Sequence, residues 1–289
     1  MLDNEFDSLV PAREYSRRGF TAAVGSGFAL AVLPVGSQTI NTNTDGLTTG
    51  EVSIPVGDFT LPAYRAMPAG KTGLPVVLVV PEIFGVHEHI ADVARRFAKL
   101  GYLAIAPELF VRQGDAKSYG EISKLISEVI AKVPDAQVMG DLDASVKWAR
   151  SHGGDSSRLA ITGFCWGGRI TWLYAAHNPA LKAGVAWYGR LVGQATALTP
   201  KHPVDVAHNL NAPVLGLYGG QDAGIPLDAV KKMEAALSIG SRAARRSEIV
   251  VYPDAPHAFH ADYRPSYRKG PAGDGWKRCV AWLKANGVG

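Results

Sequence analysis

Cys165 stands at the centre of Ile161-Thr-Gly-Phe-Cys-Trp-Gly-Gly168, where the spacing is Gly-x-Cys-x-Gly. A thiol between glycines is either a small packing residue or a nucleophile held on a tight turn. The apolar run Leu159–Thr162 leads into it, and a helical pattern begins near Gly167. So tight a strand-to-helix turn strains the backbone of its central residue, and flanking glycines remove the Cβ atoms that would strike the neighbouring strand and helix. It also directs the first N–H groups and the dipole of the helix at the side chain, where they stabilise a thiolate and then an oxyanion. A packing cysteine needs none of this. A thiol nucleophile does need a base, and the base needs an acid to orient it. His257 lies in Tyr252-Pro-Asp-Ala-Pro-His-Ala-Phe259, just past the run Glu248–Tyr252, and Asp222 lies in Gly219-Gly-Gln-Asp222, just past Val214–Tyr218. Nucleophile, acid and base therefore fall beyond the ends of three apolar runs.

Those runs are solid rather than alternating. Val76–Pro81, Leu103–Pro107, Leu159–Thr162, Ala183–Tyr188, Val214–Tyr218 and Glu248–Tyr252 are interleaved with helical patterns near 88–100, 118–132, 136–152, 167–177, 227–239 and 273–286. Continuous apolar strands predict a parallel sheet covered by helices, hence a doubly wound α/β architecture. Glu51–Val56 and Phe59–Ala66, turning at Gly57-Asp58, predict an antiparallel hairpin at its start. No linker or repeat follows residue 50, so residues 50–289 read as a single domain. In such sheets ligands bind beyond the carboxyl ends of the strands, where Cys165, Asp222 and His257 are expected.

The order nucleophile, acid, histidine is that of α/β-hydrolases. More narrowly, the chain resembles the dienelactone hydrolase family over most of residues 51–286. The matching stretches are Val80-Pro-Glu-Ile-Phe-Gly-Val86, Ala106-Pro-Glu-Leu-Phe-Val-Arg112, Gly163-Phe-Cys-Trp-Gly-Gly168, Gly219-Gly-Gln-Asp222 and His257-Ala-Phe259. The resemblance implies an α/β-hydrolase fold and a Cys–His–Asp triad that opens an ester or lactone through an acyl-thioester, without a cofactor. It implies Cys165 as nucleophile, His257 as base and acid, Asp222 as its orienter, and Glu82 as the glutamate that contacts the cysteine and governs its ionisation. The backbone N–H groups of Ile83 and Trp166 become the oxyanion hole, and Arg112 a binder of the substrate carboxylate. A second substrate arginine of the family falls here on Ala261. Arg264 is expected to bind substrate in its place, with Arg268 the other arginine nearby, both at a different spacing, and the departure bears on the dienelactone substrate rather than on the hydrolase chemistry.

Ser16-Arg17-Arg18-Gly19-Phe20, followed by an apolar Gly/Ala-rich run without charge until Asp45, resembles a twin-arginine export signal. Residues 1–37 are therefore expected to be a signal, 38–49 a polar tether, and the mature protein periplasmic or exported, with no stable membrane insertion. Hydrophobic content of 47% with 19% charged residues excludes a disordered chain, and a net charge of +4 without a basic stripe points away from nucleic acid. Cys165 and Cys279 are expected as free thiols. His87-Glu-His89 and His257-x-x-His260 lack a third ligand and read as solvated histidines, so no metal is expected. The expected partner is a small ester or lactone. A hydrolase of bulkier esters or peptides, and a non-catalytic binding protein on the same fold, are the rival readings.

Overall fold

The computed structural model describes residues 39–289, so the expected export segment lies outside the described residues. One sheet contains β1 (Leu47–Val56), β2 (Phe59–Pro68), β3 (Leu74–Val80), β4 (Leu103–Pro107), β5 (Gly154–Phe164), β6 (Ala183–Trp187), β7 (Val214–Gly219) and β8 (Glu248–Tyr252). Their order across it is β1-β2-β4-β3-β5-β6-β7-β8. The hairpin β1–β2 and the pair β2–β4 are antiparallel, and every pairing from β4 to β8 is parallel. The predicted sheet is present, with every residue of β4, β6 and β7 buried, as solid apolar runs require.

Eight helices longer than a 3-10 turn accompany it among the described residues: α1 (Glu88–Lys99), α2 (Ile122–Glu128), α3 (Asp135–Ser151), α4 (Trp166–His177), α5 (Pro203–Val206), α6 (Leu227–Ser238), α7 (Arg242–Arg245) and α8 (Lys269–Ala285). α1 packs against β2 and β4, α3 and α4 against β5, and α8 against β6 and β7. None is long and apolar enough to cross a membrane. α8 starts at Lys269 rather than near 273, because Pro271 sits in its first turn, where a missing N–H costs nothing.

β1 begins at Leu47, within the stretch read as a tether, since its register runs on to Leu47↔Pro68 through backbone pairing that needs no apolar pattern. Just before it, Arg95 Nε of α1 donates to the Thr42 carbonyl at 2.9 Å. The strand order reverses at β3, which lies between β4 and β5. That reversal opens a crevice beyond the carboxyl ends of β3 and β5.

Candidate active site

Cys165 follows β5 directly and caps α4 with φ 54° and ψ −114°. A side chain in this region costs of order 1–3 kcal/mol and persists only where the surroundings enforce it. Here its N–H donates to the Trp187 carbonyl at 3.0 Å, and its carbonyl accepts from the Gly168 and Arg169 N–H groups. The flanking glycines are required by contact: a Cβ on Gly163 would lie 2.1 Å from the Gly167 oxygen, and one on Gly167 2.4 Å from the Val80 oxygen. β5 therefore touches the first turn of α4, which in turn touches β3. Trp166 is the first helical residue, so its N–H has no intrahelical acceptor. Ile83 is buried two residues past Pro81 on the adjoining β3 loop, and Val80 pairs with Gly163 across the sheet. Both expected oxyanion amides are thus carried on neighbouring strand ends.

His257 Nδ1 and Asp222 Oδ2 are 2.6 Å apart, and both side chains are buried. Asp222 is oriented in its turn by the Gly224 N–H on Oδ1 at 2.9 Å, and the turn is tied down by Gly220 and Gln221 N–H groups donating to the Tyr252 and Ala255 carbonyls. Burial alone would lower the basicity of His257, but the charges of Asp222 and Cys165 and their hydrogen bonds raise it well above the usual histidine value. Its Nε2 is buried without a well-formed hydrogen bond, and the group acting on it from that side is Cys165. Among the described residues, the non-glycine positions with positive φ are Cys165, Tyr188 and Ala258. The Tyr188 ring meets His257 edge-on at 5.1 Å, and Ala258 follows His257, so these strained positions collect around Cys165 and His257.

Glu82 is buried on the loop after β3 and accepts from the Tyr263 hydroxyl at 2.8 Å through Oε2. His87 Nε2 is 3.8 Å from the same oxygen. Burial opposes ionisation of Glu82, but the nearby His87 and the charges of Arg264, His87 and His89 outweigh it and lower its pKa to about 2. The histidines read as solvated are packed instead. His89 Nδ1 meets Asp262 Oδ1 at 3.1 Å, Arg96 Nη2 donates to Asp262 Oδ2 at 2.6 Å, and His260 lies 4.5 Å from Trp187 and 5.1 Å from Phe164 between ring centroids. Their burial reflects aromatic and ionic partners contributed from distant parts of the chain. Among the described residues no three His, Cys, Asp or Glu side chains converge as a metal site.

Of the two arginines read as substrate binders, only Arg264 is brought to Glu82, where it is buried and lowers the carboxylate's pKa. Arg112 is paired with α3. Both of its terminal nitrogens donate to Asp141 of α3, at 2.6 and 2.8 Å, and its guanidinium lies 4.0 Å from the Phe59 ring centroid. The Asp141 carboxylate that it meets is buried. Ala261 is fully buried. Sequence reasoning missed Tyr263 and Asp262, although both follow His257 within six residues.

Residues 61–287 match the profile described as the dienelactone hydrolase family. A Methylorubrum extorquens protein provisionally named a carboxymethylenebutenolidase is 60% identical over 290 residues, covering 99% of each chain. One from Escherichia coli, provisionally named likewise, is 57% identical over 264 residues, covering 91% of this chain and 96% of its own. The crystal structure of a Klebsiella pneumoniae protein provisionally named a dienelactone hydrolase superposes with a TM-score of 0.79 at 60% identity, over 82% of this chain and 98% of that one.

Proposed function

Because the chain belongs to the dienelactone hydrolase family, and is therefore a hydrolase on the α/β-hydrolase fold, we propose that it cleaves a small ester or lactone through an acyl-thioester on Cys165. The reading is carried by the buried His257–Asp222 pair at 2.6 Å beside a cysteine held at φ 54°. His257 accepts the thiol proton as the sulfur attacks the carbonyl carbon. The oxyanion that forms takes the Trp166 and Ile83 N–H groups. Collapse expels the alkoxide, which His257 protonates, and in a lactone that alcohol stays tethered to the acyl group. Water then gives a proton to His257, attacks the thioester carbonyl and returns sulfur to its starting state. No cofactor takes part in these steps.

Small substrates are favoured over bulkier esters and peptides because Cys165, Asp222 and His257 are each at most 4% exposed. The test is hydrolysis of short-chain nitrophenyl esters and dienelactone by the wild type and by Cys165→Ala. Turnover that falls to background in the variant supports the nucleophile. Turnover that survives overturns it, and inertness of a folded wild type across the panel moves the binding-protein reading to the front.

We also propose export by the twin-arginine route, on the strength of Arg17-Arg18 and the uncharged run after them. Fractionation of bacterial cells should find the mature protein in the periplasm, and Arg17→Lys with Arg18→Lys should leave it in the cytoplasm. An unchanged distribution would remove the proposal.

A further inference from the structure

The two oxygens of Glu82 have unlike surroundings. Oε2 takes the Tyr263 hydroxyl at 2.8 Å and faces His87 Nε2, whereas Oε1 is buried with no hydrogen-bond partner among the described residues. An unsatisfied carboxylate oxygen in the interior is costly and calls for a reason. We propose that Tyr263 is a positioning residue that holds Glu82 by Oε2, with the unbonded His87 Nε2 only flanking that oxygen at 3.8 Å, leaving Oε1 as the oxygen presented to the reacting Cys165. The proposal rests on Cys165 being the nucleophile and adds to it the parts that set Glu82.

The clamp is built from two elements that arrive independently. α1 contributes from its N-terminal end, where His87 is the cap and His89 lies in the first turn. The segment after His257 contributes Tyr263, whose ring packs 5.0 Å from His87 and 5.2 Å from His89 between centroids. Asp262, the residue before it, is fastened to α1 by His89 at 3.1 Å and by Arg96 at 2.6 Å. The Arg268 N–H closes the segment on the Phe259 carbonyl at 3.0 Å. Tyr263 is thereby fixed in place before it meets Glu82. His87 also lines a surface cavity of about 240 Å³ together with Tyr64, Val86, Glu88 and Glu108.

The titratable and charged groups around Glu82 are His87, His89, Tyr188, His260, Tyr263 and Arg264. Among them Tyr263 gives the short hydroxyl donor. A hydrogen bond to the ionised form stabilises it, so loss of that donor raises the pKa of Glu82.

Tyr263→Phe keeps the ring and deletes the donor. It is made in a Cys279→Ala background, which leaves Cys165 as the sole thiol. The acid limb of Cys165 alkylation by iodoacetamide should move to higher pH. kcat on a short ester should fall about tenfold with KM within about twofold, the change expected for one lost bond to a charged group. Added to Glu82→Gln, Tyr263→Phe should cause no further loss, because both act through one carboxylate. His87→Gln should shift the alkylation profile the same way by a smaller amount, and serves also if Tyr263→Phe does not fold. A lower melting temperature with an unmoved alkylation profile, or an additive loss in the double variant, overturns the clamp. Alkylation needs no substrate, so a wild type inert towards esters would sink the proposed hydrolysis while the profile still decides the clamp.

Discussion

Cys165 occupies a backbone conformation in which glycine is unstrained. Thermal unfolding should therefore rank Cys165→Gly above Cys165→Ala by about 1 kcal/mol, or about 2 °C in Tm, although glycine lowers stability at most sites. Asp222→Asn should leave the protein folded and lower kcat about 10⁴-fold, as when the orienting acid of a serine triad is replaced, and steady-state kinetics on a nitrophenyl ester reads it. The carboxylates give an acid signature. Glu82 and Asp262 have pKa values lowered to about 2 from 4.5 and 3.8, so their contribution to stability is complete above those ordinary values and is lost as pH falls towards about 2. Urea unfolding at about pH 5 and about pH 3 should differ by on the order of 2 kcal/mol through Glu82 alone, and Glu82→Gln should reduce that slope. An identical slope in the variant would mean that other carboxylates dominate.

Glycines separate what a turn demands from what a helix merely tolerates. A Cβ at Gly163 would meet backbone at 2.1 Å, whereas one at Gly273 of α8 meets nothing within 4 Å. Gly163→Ala should destabilise by about 3 kcal/mol or prevent folding, while Gly273→Ala should stabilise by about 0.5–1 kcal/mol, both read by thermal unfolding. The first glycine was legible because Gly-x-Cys-x-Gly between an apolar run and a helical period leaves one geometry. β4 and β8 were legible to the residue, β4 because Pro107 closes its apolar run and β8 because Ser247 and Pro253-Asp254 bound its own. The partners of loop side chains were not legible. Tyr263 reaches Glu82 across 181 residues and Arg112 reaches Asp141 across 29, and no periodicity specifies such pairs. The buried histidines were misread for the same reason: their neighbours come from α1, β5, β6 and the segment after β8.

Across the whole molecule, Arg112 ties separate elements together. Arg112 joins the segment after β4 to α3 and, through Phe59, to the start of β2. Arg112→Ala would leave Asp141 buried and unpaired, so stability should fall by about 3 kcal/mol. The ratio of kcat/KM for anionic and neutral esters of equal size should stay unchanged, and a selective loss of the anionic substrate would return Arg112 to the site. A motif match carries a residue's type and position, but it did not show the Asp141 partner on α3. The stretch from His257 to Arg268 has a further consequence. It carries His257, the proposed base, at its start and the Glu82 contact at Tyr263, and it is fastened to α1 through Asp262. Two functional parts are thus inherited on one short piece of chain. A chimera that received this piece from a distant homologue, without the matching end of α1, would import a histidine whose companion tyrosine has lost its footing. Recombination within the fold should therefore succeed when α1 and this piece travel together.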